Sequence, residues 1–309
     1  MTAPSAKTTS DVLDGVDLTG RVVVITGASS GLGLQTAQAM QAAGAEVVAA
    51  VRDLEKTRAV LECEVVPLDL TDLRTAQGAA EAIAHRHGRI DVLINNAGIM
   101  APPLSRTAQG YEMQLGTNHL GHFVFTTGLV DSFGDGTRIV NLSSRGHLYG
   151  GIRWEDPNYD DESTYDKWQA YGQSKTANVL FTVEAERRWG PRGVHSFAVH
   201  PGVVITELAR HMTRDDYSGR LANLEVTDAE HGAATTVWAA TSPELDGLGG
   251  LYLEDCSIAE PFAPGGQERS DAGMDDGVVG GYAAFAVDPE QAARLWEWSA
   301  RQAELHLGD

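Results

Sequence analysis

From residue 21 onward, short β-branched runs alternate with stretches of helical periodicity, and no other feature constrains the fold as tightly. Arg21-Val-Val-Val-Ile-Thr26 reads as a buried strand closed by Gly27, and a helix follows from Gly31 to Ala43, ended by Gly44. Glu46 to Val51 is a second strand, Asp53 caps a short helix reaching about Leu61, and Val65 to Leu68 is a third strand. Asp72 opens a helix toward His87, Gly88 stops it, and Ile90 to Ile94 is a fourth strand. The rhythm then repeats: helix from Met113 to Val130, strand Thr137 to Leu142, helix Lys167 to Trp189, strand Val194 to Val199, helix Asp228 to Ala240, strand Gly250 to Leu253. Helices between successive strands return the chain parallel to itself. The expectation is an α/β fold, a doubly wound parallel sheet of about seven strands with helices on both faces. Residues 1–17 read as a flexible tail and 18–309 as a single domain. That domain carries an insertion at 145–170 and a C-terminal loop and helix over 254–309, the helix starting at Asp288-Pro289.

Charge limits the partners. With 23 Lys+Arg against 43 Asp+Glu the net charge is −20, which repels nucleic-acid backbones and anionic lipid. Two cysteines, Cys63 and Cys256, give neither a disulfide framework nor a zinc pattern. His85, His87, His119 and His122 lack the carboxylates a metal site would add, so no metal is expected. No apolar run reaches the length of a membrane span, and the N-terminus lacks a signal peptide's apolar core. A cytoplasmic location is the expectation.

Any phosphate this acidic chain binds must be held locally, and Thr26-Gly27-Ala28-Ser29-Ser30-Gly31-Leu32-Gly33 sits where that is possible, between the first strand and the first helix. Gly27 turns the chain off the strand. Gly31 and Gly33 remove side chains where a helix N-terminus, with its unpaired N–H groups, meets a pyrophosphate. A turn built only for packing would use the same glycines.

The spacing Thr-Gly-x-x-x-Gly-x-Gly resembles that of the short-chain dehydrogenase/reductase family, and four more of its motifs follow in order: Asn95-Asn96-Ala97-Gly98, Asn118 within Asn-His-Leu-Gly-His-Phe, the Ser143-Ser144 pair, and Tyr171-Gly-Gln-Ser-Lys175 followed by His200-Pro201-Gly202-Val203-Val204-Ile205-Thr206. The likeness covers about residues 18 to 253 and is closest in pattern to the retinol-dehydrogenase-like branch. It implies a nicotinamide cofactor held by Gly27, Ser29, Ser30, Gly31, Leu32, Gly33, Arg52, Asp69, Leu70, Asn95, Ala97, Gly98, Pro201, Gly202, Val204 and Thr206, with Tyr171 and Lys175 touching it as well. It also implies a catalytic set of Asn118, Ser144, Tyr171 and Lys175, a water held by Asn118, and the dimers or tetramers common in the family. A homo-oligomer is therefore open.

Physical chemistry supports parts of this set. Tyr171 and Lys175 lie four apart, on one helix face, where an ammonium lowers a phenol's pKa and makes it a usable proton donor or acceptor. The same spacing also makes an ordinary surface contact. Ser144, at a strand's C-terminal end, faces the crevice where such sheets bind ligands, and Ser143 is the alternative. Asn118 could instead bond the backbone, and Asp69 could cap the Thr71-Asp72 turn instead of facing adenine.

Position 51, where NAD-dependent relatives carry an acid for the ribose, is Val51. Arg52 next to it can fork onto a 2′-phosphate, so NADP(H) is favoured over NAD(H). Asp53 reads as a helix cap. The insertion places Tyr149, Trp154, Tyr159, Tyr165 and Trp168 near the reacting groups, beside Met100 to Leu104 and Leu208 to Met212. The expected substrate is thus a small apolar ketone, aldehyde or secondary alcohol. Only part of the insertion can face it, since Asp156 to Glu162 is acidic and solvated. A surface decoration or an oligomer contact is the other reading of that insertion. Two other functions fit the loop alone: a dinucleotide-binding sensor without turnover, and a lyase or epimerase of the same family.

Overall fold

The computed structural model describes residues 7–204, 206–212, 216, 226–262 and 280–307. Eight strands form one sheet in the order β10-β9-β6-β5-β4-β1-β2-β3. They are β1 (Val22–Thr26), β2 (Glu46–Val51), β3 (Glu64–Pro67), β4 (Ile90–Asn95), β5 (Phe133–Leu142), β6 (His195–His200), β9 (Leu251–Glu254) and β10 (Ser257–Ile258). All neighbours are parallel except β9 and β10, so the expected seven-strand sheet gains an antiparallel edge. A separate two-residue ladder joins β7 (Val203–Val204) to β8 (Val226–Thr227).

The sheet is buried on both faces because its strands are apolar on both. Val23 and Ile25 join the cluster under α2 (Gly31–Ala42) and α8 (Ala229–Thr241), where Ala37, Met40, Val237 and Trp238 pack. Val24, between them, faces the opposite cluster under α4 (Leu73–Arg86), α6 (Gly121–Gly128), α7 (Lys167–Trp189) and α9 (Pro289–Leu307). Here Phe181 stacks on Trp296 at 5.5 Å. Strand order reverses between β1 and β4, and a crevice opens there at the carboxyl ends of the strands. No helix among the described residues is long and apolar enough to cross a membrane.

Three expectations need correction. Residues 1–17 are not a tail throughout: Thr8 caps α1 (Thr9–Val12) with a reciprocal Asp11 bond, Ser10 donates to Glu230, and Val12, Leu13 and Val16 pack on the core. The helix expected over 113–130 is broken into α5 (Met113–Leu115), a π-turn over Gly116–Leu120, and α6. The 254–281 stretch, expected as loop, contains the end of β9, β10, and a bridge from Pro261 to Tyr282; the part from 263 to 279 lies outside the described residues.

Candidate active site

The crevice holds a cleft of about 630 Å³ running from the β1–α2 turn to Tyr171. At its first end Gly27 adopts φ +72° and a Cβ there would lie 2.9 Å from that of Ala97. Gly31 adopts φ +55° at the start of α2. Ser30 is the N-cap of α2 yet its hydroxyl does not cap it, so the first-turn N–H groups have no side-chain acceptor. The Ser30 hydroxyl instead donates to Glu207, which also takes Lys56 Nζ at 2.7 Å. These contacts tie the turn after Thr206 to both sides of the cleft mouth. Uncapped helix N–H groups beside a cleft suit a pyrophosphate, so the residues present fit a dinucleotide.

Of the residues expected at the cofactor, Gly27, Ser29, Ser30, Gly31, Leu32, Gly33, Arg52, Asp69, Leu70, Ala97, Gly98, Pro201, Gly202, Val204 and Thr206 line this cleft. Asn95 does not. Its amide is buried, donating to Thr126 Oγ1 and Asn141 Oδ1 inside the fold. Side chains alternate along a strand, so the neighbouring Asn96 reaches the cleft and bonds the Thr26 carbonyl at 2.8 Å. The role of Gly33 also differs from expectation: a Cβ there would sit 2.4 Å from the Gly27 carbonyl and Asn96 Nδ2, so this glycine serves packing of the protein on itself. Asp53 caps α3 (Leu54–Arg58), accepting from Lys56 N at 3.0 Å. Asp69 holds the Thr71 amide and hydroxyl while lining the cleft, so both readings of it meet in one residue.

At the second end α7 carries Tyr171 and Lys175, both buried and both on the cleft. Ser144 follows β5 and accepts from Gly146 N at 3.0 Å; Ser144 and Tyr171 both line the cleft, where the serine hydroxyl acts to lower the phenol's pKa. Ser143 is committed elsewhere, donating to the Lys175 carbonyl at 2.9 Å. Gly146 lets the turn close on the tyrosine, since a Cβ there would lie 2.6 Å from the ring. Lys175 Nζ donates to the Leu142 carbonyl at 2.8 Å.

Burial pushes the Tyr171 phenol up to about 12, with the Ser144 hydroxyl pulling the other way, and burial draws the Lys175 ammonium down to about 7. The expected lowering of Tyr171 by Lys175 is thus corrected. Both groups are buried, and desolvation is the leading cause of each shift.

Asn118, in the π-turn, is placed beside the cleft and not in it. Its amide clamps Ile99, accepting from its N–H at 2.9 Å and donating to its carbonyl at 3.0 Å, and also donates to Ser174. The backbone-bonding alternative therefore describes its side chain. Gly98 leaves room between them: a Cβ there would lie 3.1 Å from Asn118 Oδ1 and 3.7 Å from Lys175 Nζ. His122 lies beneath the site. Its Nδ1–H donates to the Asn118 carbonyl, so Nε2 must accept the Thr26 hydroxyl, whose oxygen receives Asn96 N and Ala97 N. A lone histidine in the helical pattern gave no sign of this.

The remaining walls are apolar. Met100, Leu148, Tyr149, Trp168, Leu208 and Met212 line them as expected in kind. Three of the insertion's aromatics do not. Trp154 packs under Arg294 and bonds Gln291, while Tyr159 and Tyr165 meet edge to face, Tyr159 fully buried within the run expected to be solvated. Ala101 to Leu104 are likewise off the cleft. Phe262, Ala283, Ala284 and Phe285, from the C-terminal segment, line it instead.

Comparison with known proteins agrees with this fold. A family model for short chain dehydrogenases matches residues 21–156. A probable oxidoreductase of Streptomyces lividans is 41% identical over 306 residues, spanning 92% of this chain and 98% of that protein. Retinol dehydrogenase 12 of Homo sapiens is 40% identical over 253 residues, 78% of this chain and 79% of its own length. Among solved structures, a short chain dehydrogenase from Burkholderia cenocepacia in complex with NADP superposes with a TM-score of 0.63 at 25% identity, covering 77% of this chain and 96% of that one.

Proposed function

This chain belongs to the short-chain dehydrogenase/reductase family, and on that premise we propose that it transfers hydride between NADP(H) and the carbonyl or alcohol carbon of a small apolar substrate. It is an NAD(P)-dependent oxidoreductase; the phosphorylated cofactor and the apolar substrate are our reading. The observation that carries the chemistry is the meeting of Ser144, Tyr171 and Lys175 at the inner end of a cleft that begins at a helix N-terminus its Ser30 N-cap side chain does not cap. When bound, the dinucleotide supplies or accepts the hydride. The chain does the rest. Ser144 and Tyr171 hold the substrate oxygen, and Tyr171 gives its proton in reduction or takes it in oxidation. Lys175, its Nζ 5.7 Å from the ring centroid, adds a nearby positive field when protonated. A phenol resting near 12 is a poor proton exchanger at neutral pH. The reading therefore requires charge developing on the substrate oxygen to draw the proton across.

Val51 and Arg52 support NADP(H), because an exposed arginine follows an apolar residue at the β2 end of the cleft, while Asp53, which also lines it, accepts from Lys56 N as the cap of α3. The apolar walls and the likeness to a retinol dehydrogenase support the substrate class. The experiment is a screen of NADPH oxidation with aldehydes and ketones of rising chain length, alongside NADP⁺ reduction with alcohols. Each added methylene should raise kcat/KM up to about fourfold until the cleft fills. Tyr171→Phe should lose at least about 10²-fold in turnover while keeping cofactor affinity. A polar sugar as best substrate would defeat the apolar reading, and normal turnover by the phenylalanine variant would defeat the proton donor.

A further inference from the structure

The C-terminal segment reaches the cleft from more than a hundred residues beyond Ser144, and two buried links hold it there. The first is His147, fully buried in the 3-10 turn Arg145–Tyr149 that follows Ser144. Its Nδ1 lies 2.7 Å from the Ser144 carbonyl, which can only accept, so Nδ1 carries the proton. Its Nε2 must then be the acceptor for Ala283 N at 3.1 Å. The ring is neutral with one fixed tautomer, joining the backbone of Ser144 to the backbone of Ala283, and it packs on Tyr252 at 5.0 Å. The second link is Glu254, which takes Arg145 Nε at 3.4 Å on one oxygen and Gly281 N at 2.6 Å on the other. Ala283, Ala284 and Phe285 line the cleft as a result.

We infer that His147 is a positioning residue that couples the reactive serine turn to a C-terminal wall, and that this wall sets which substrates fit. The inference rests on the reading of Ser144 and Tyr171 as holders of the substrate oxygen. A substrate long enough to reach Phe285 packs on a wall that the Ala283 link and, through one imidazole, the Ser144 carbonyl hold in place. A short substrate does not touch the wall. Discrimination by length is therefore written into the His147 bonds, and the same bonds keep the serine in register with Tyr171.

The test compares His147→Phe, which keeps a ring and loses both bonds, with His147→Gln, whose amide offers one donor and one acceptor. Backbone amide exchange at 281–285 and kcat and KM for a short and a long carbonyl substrate are measured for each. We expect faster exchange at Ala283 in His147→Phe, and a fall of about tenfold or more in the long-to-short ratio of kcat/KM, carried mainly by KM of the long substrate. We expect His147→Gln to recover most of both. Should His147→Phe not fold, Phe285→Ala, which trims the wall itself, must change the ratio in its place. Equal losses for both substrates, or a ratio unchanged while exchange rises, overturn the inference. A wild type inert toward every carbonyl overturns instead the oxidoreductase reading on which it rests.

Discussion

Arg52 stands directly after Val51 at the end of β2, exposed and on the cleft. A guanidinium there can fork onto a phosphate and has little to offer a bare ribose hydroxyl. Arg52→Ala should weaken NADPH binding by about tenfold or more while changing NADH binding little, the usual size of a charge-assisted bond. Equal losses in fluorescence titrations with both cofactors would count against the assignment. The pairing of Lys56 with Glu207 bears on the same titration, since Lys56 is thereby held by a carboxylate, whereas among the described residues no carboxylate bonds Arg52. Single residues were unevenly legible. Ser144 could not be separated from Ser143 until the backbone showed one hydroxyl turned into the Lys175 carbonyl and the other toward Tyr171. Asn95 and Asn96 were exchanged because a motif names residue types while a strand's pleat decides which one faces the cleft.

At the scale of elements, glycines at two helices give opposite expectations. A Cβ on Gly33 would stand 2.4 Å from a backbone carbonyl that cannot move without reshaping the turn after β1. Gly33→Ala should therefore cost about 1–3 kcal/mol of stability, the scale of overpacking, and weaken cofactor binding with it. Gly78, exposed in the middle of α4 with nothing within 4 Å of its Cβ position, should do the reverse: Gly78→Ala gains about 0.5–1 kcal/mol from helix entropy. Urea midpoints of the two variants should fall on either side of the wild type, and a shift of the same sign in both would refute the argument. The regular βα units were readable from periodicity because each buries a face with a fixed repeat. The π-turn at Gly116–Leu120 was not, since one widened turn leaves the apolar pattern of a helix intact. Nor were the C-terminal wall and the bond of His122 to Thr26, which depend on contacts between distant parts of the chain that no local pattern encodes.

At the scale of the molecule, four histidines among the described residues are buried in the neutral state: burial draws His119 down to about 3, His122 and His147 to about 4, and His200 well below its ordinary range. The unfolded chain takes up these protons near pH 6.5, so it binds more protons than the fold between about pH 6.5 and 4, and stability falls with pH through that window. Four such groups give a slope of up to about 5 kcal/mol per pH unit. Glu112, whose buried carboxyl is pushed up, works the other way, one group against four. Since domains hold about 5–15 kcal/mol in all, the urea midpoint should drop clearly as the pH is lowered from 7 to 5. A urea midpoint that stays level from pH 7 to pH 5 would contradict this. The sheet itself divides labour at the reversal between β1 and β4. The β1 turn, the end of β2 and the residues that follow β3 and β4 line one end of the cleft, while the apolar walls come chiefly from segments after Leu142. Such a chain can change its diet without changing its currency: descent by recombination past Leu142, or a graft made at that joint, would exchange one clientele of carbonyls for another while the first half continued to accept the same reductant.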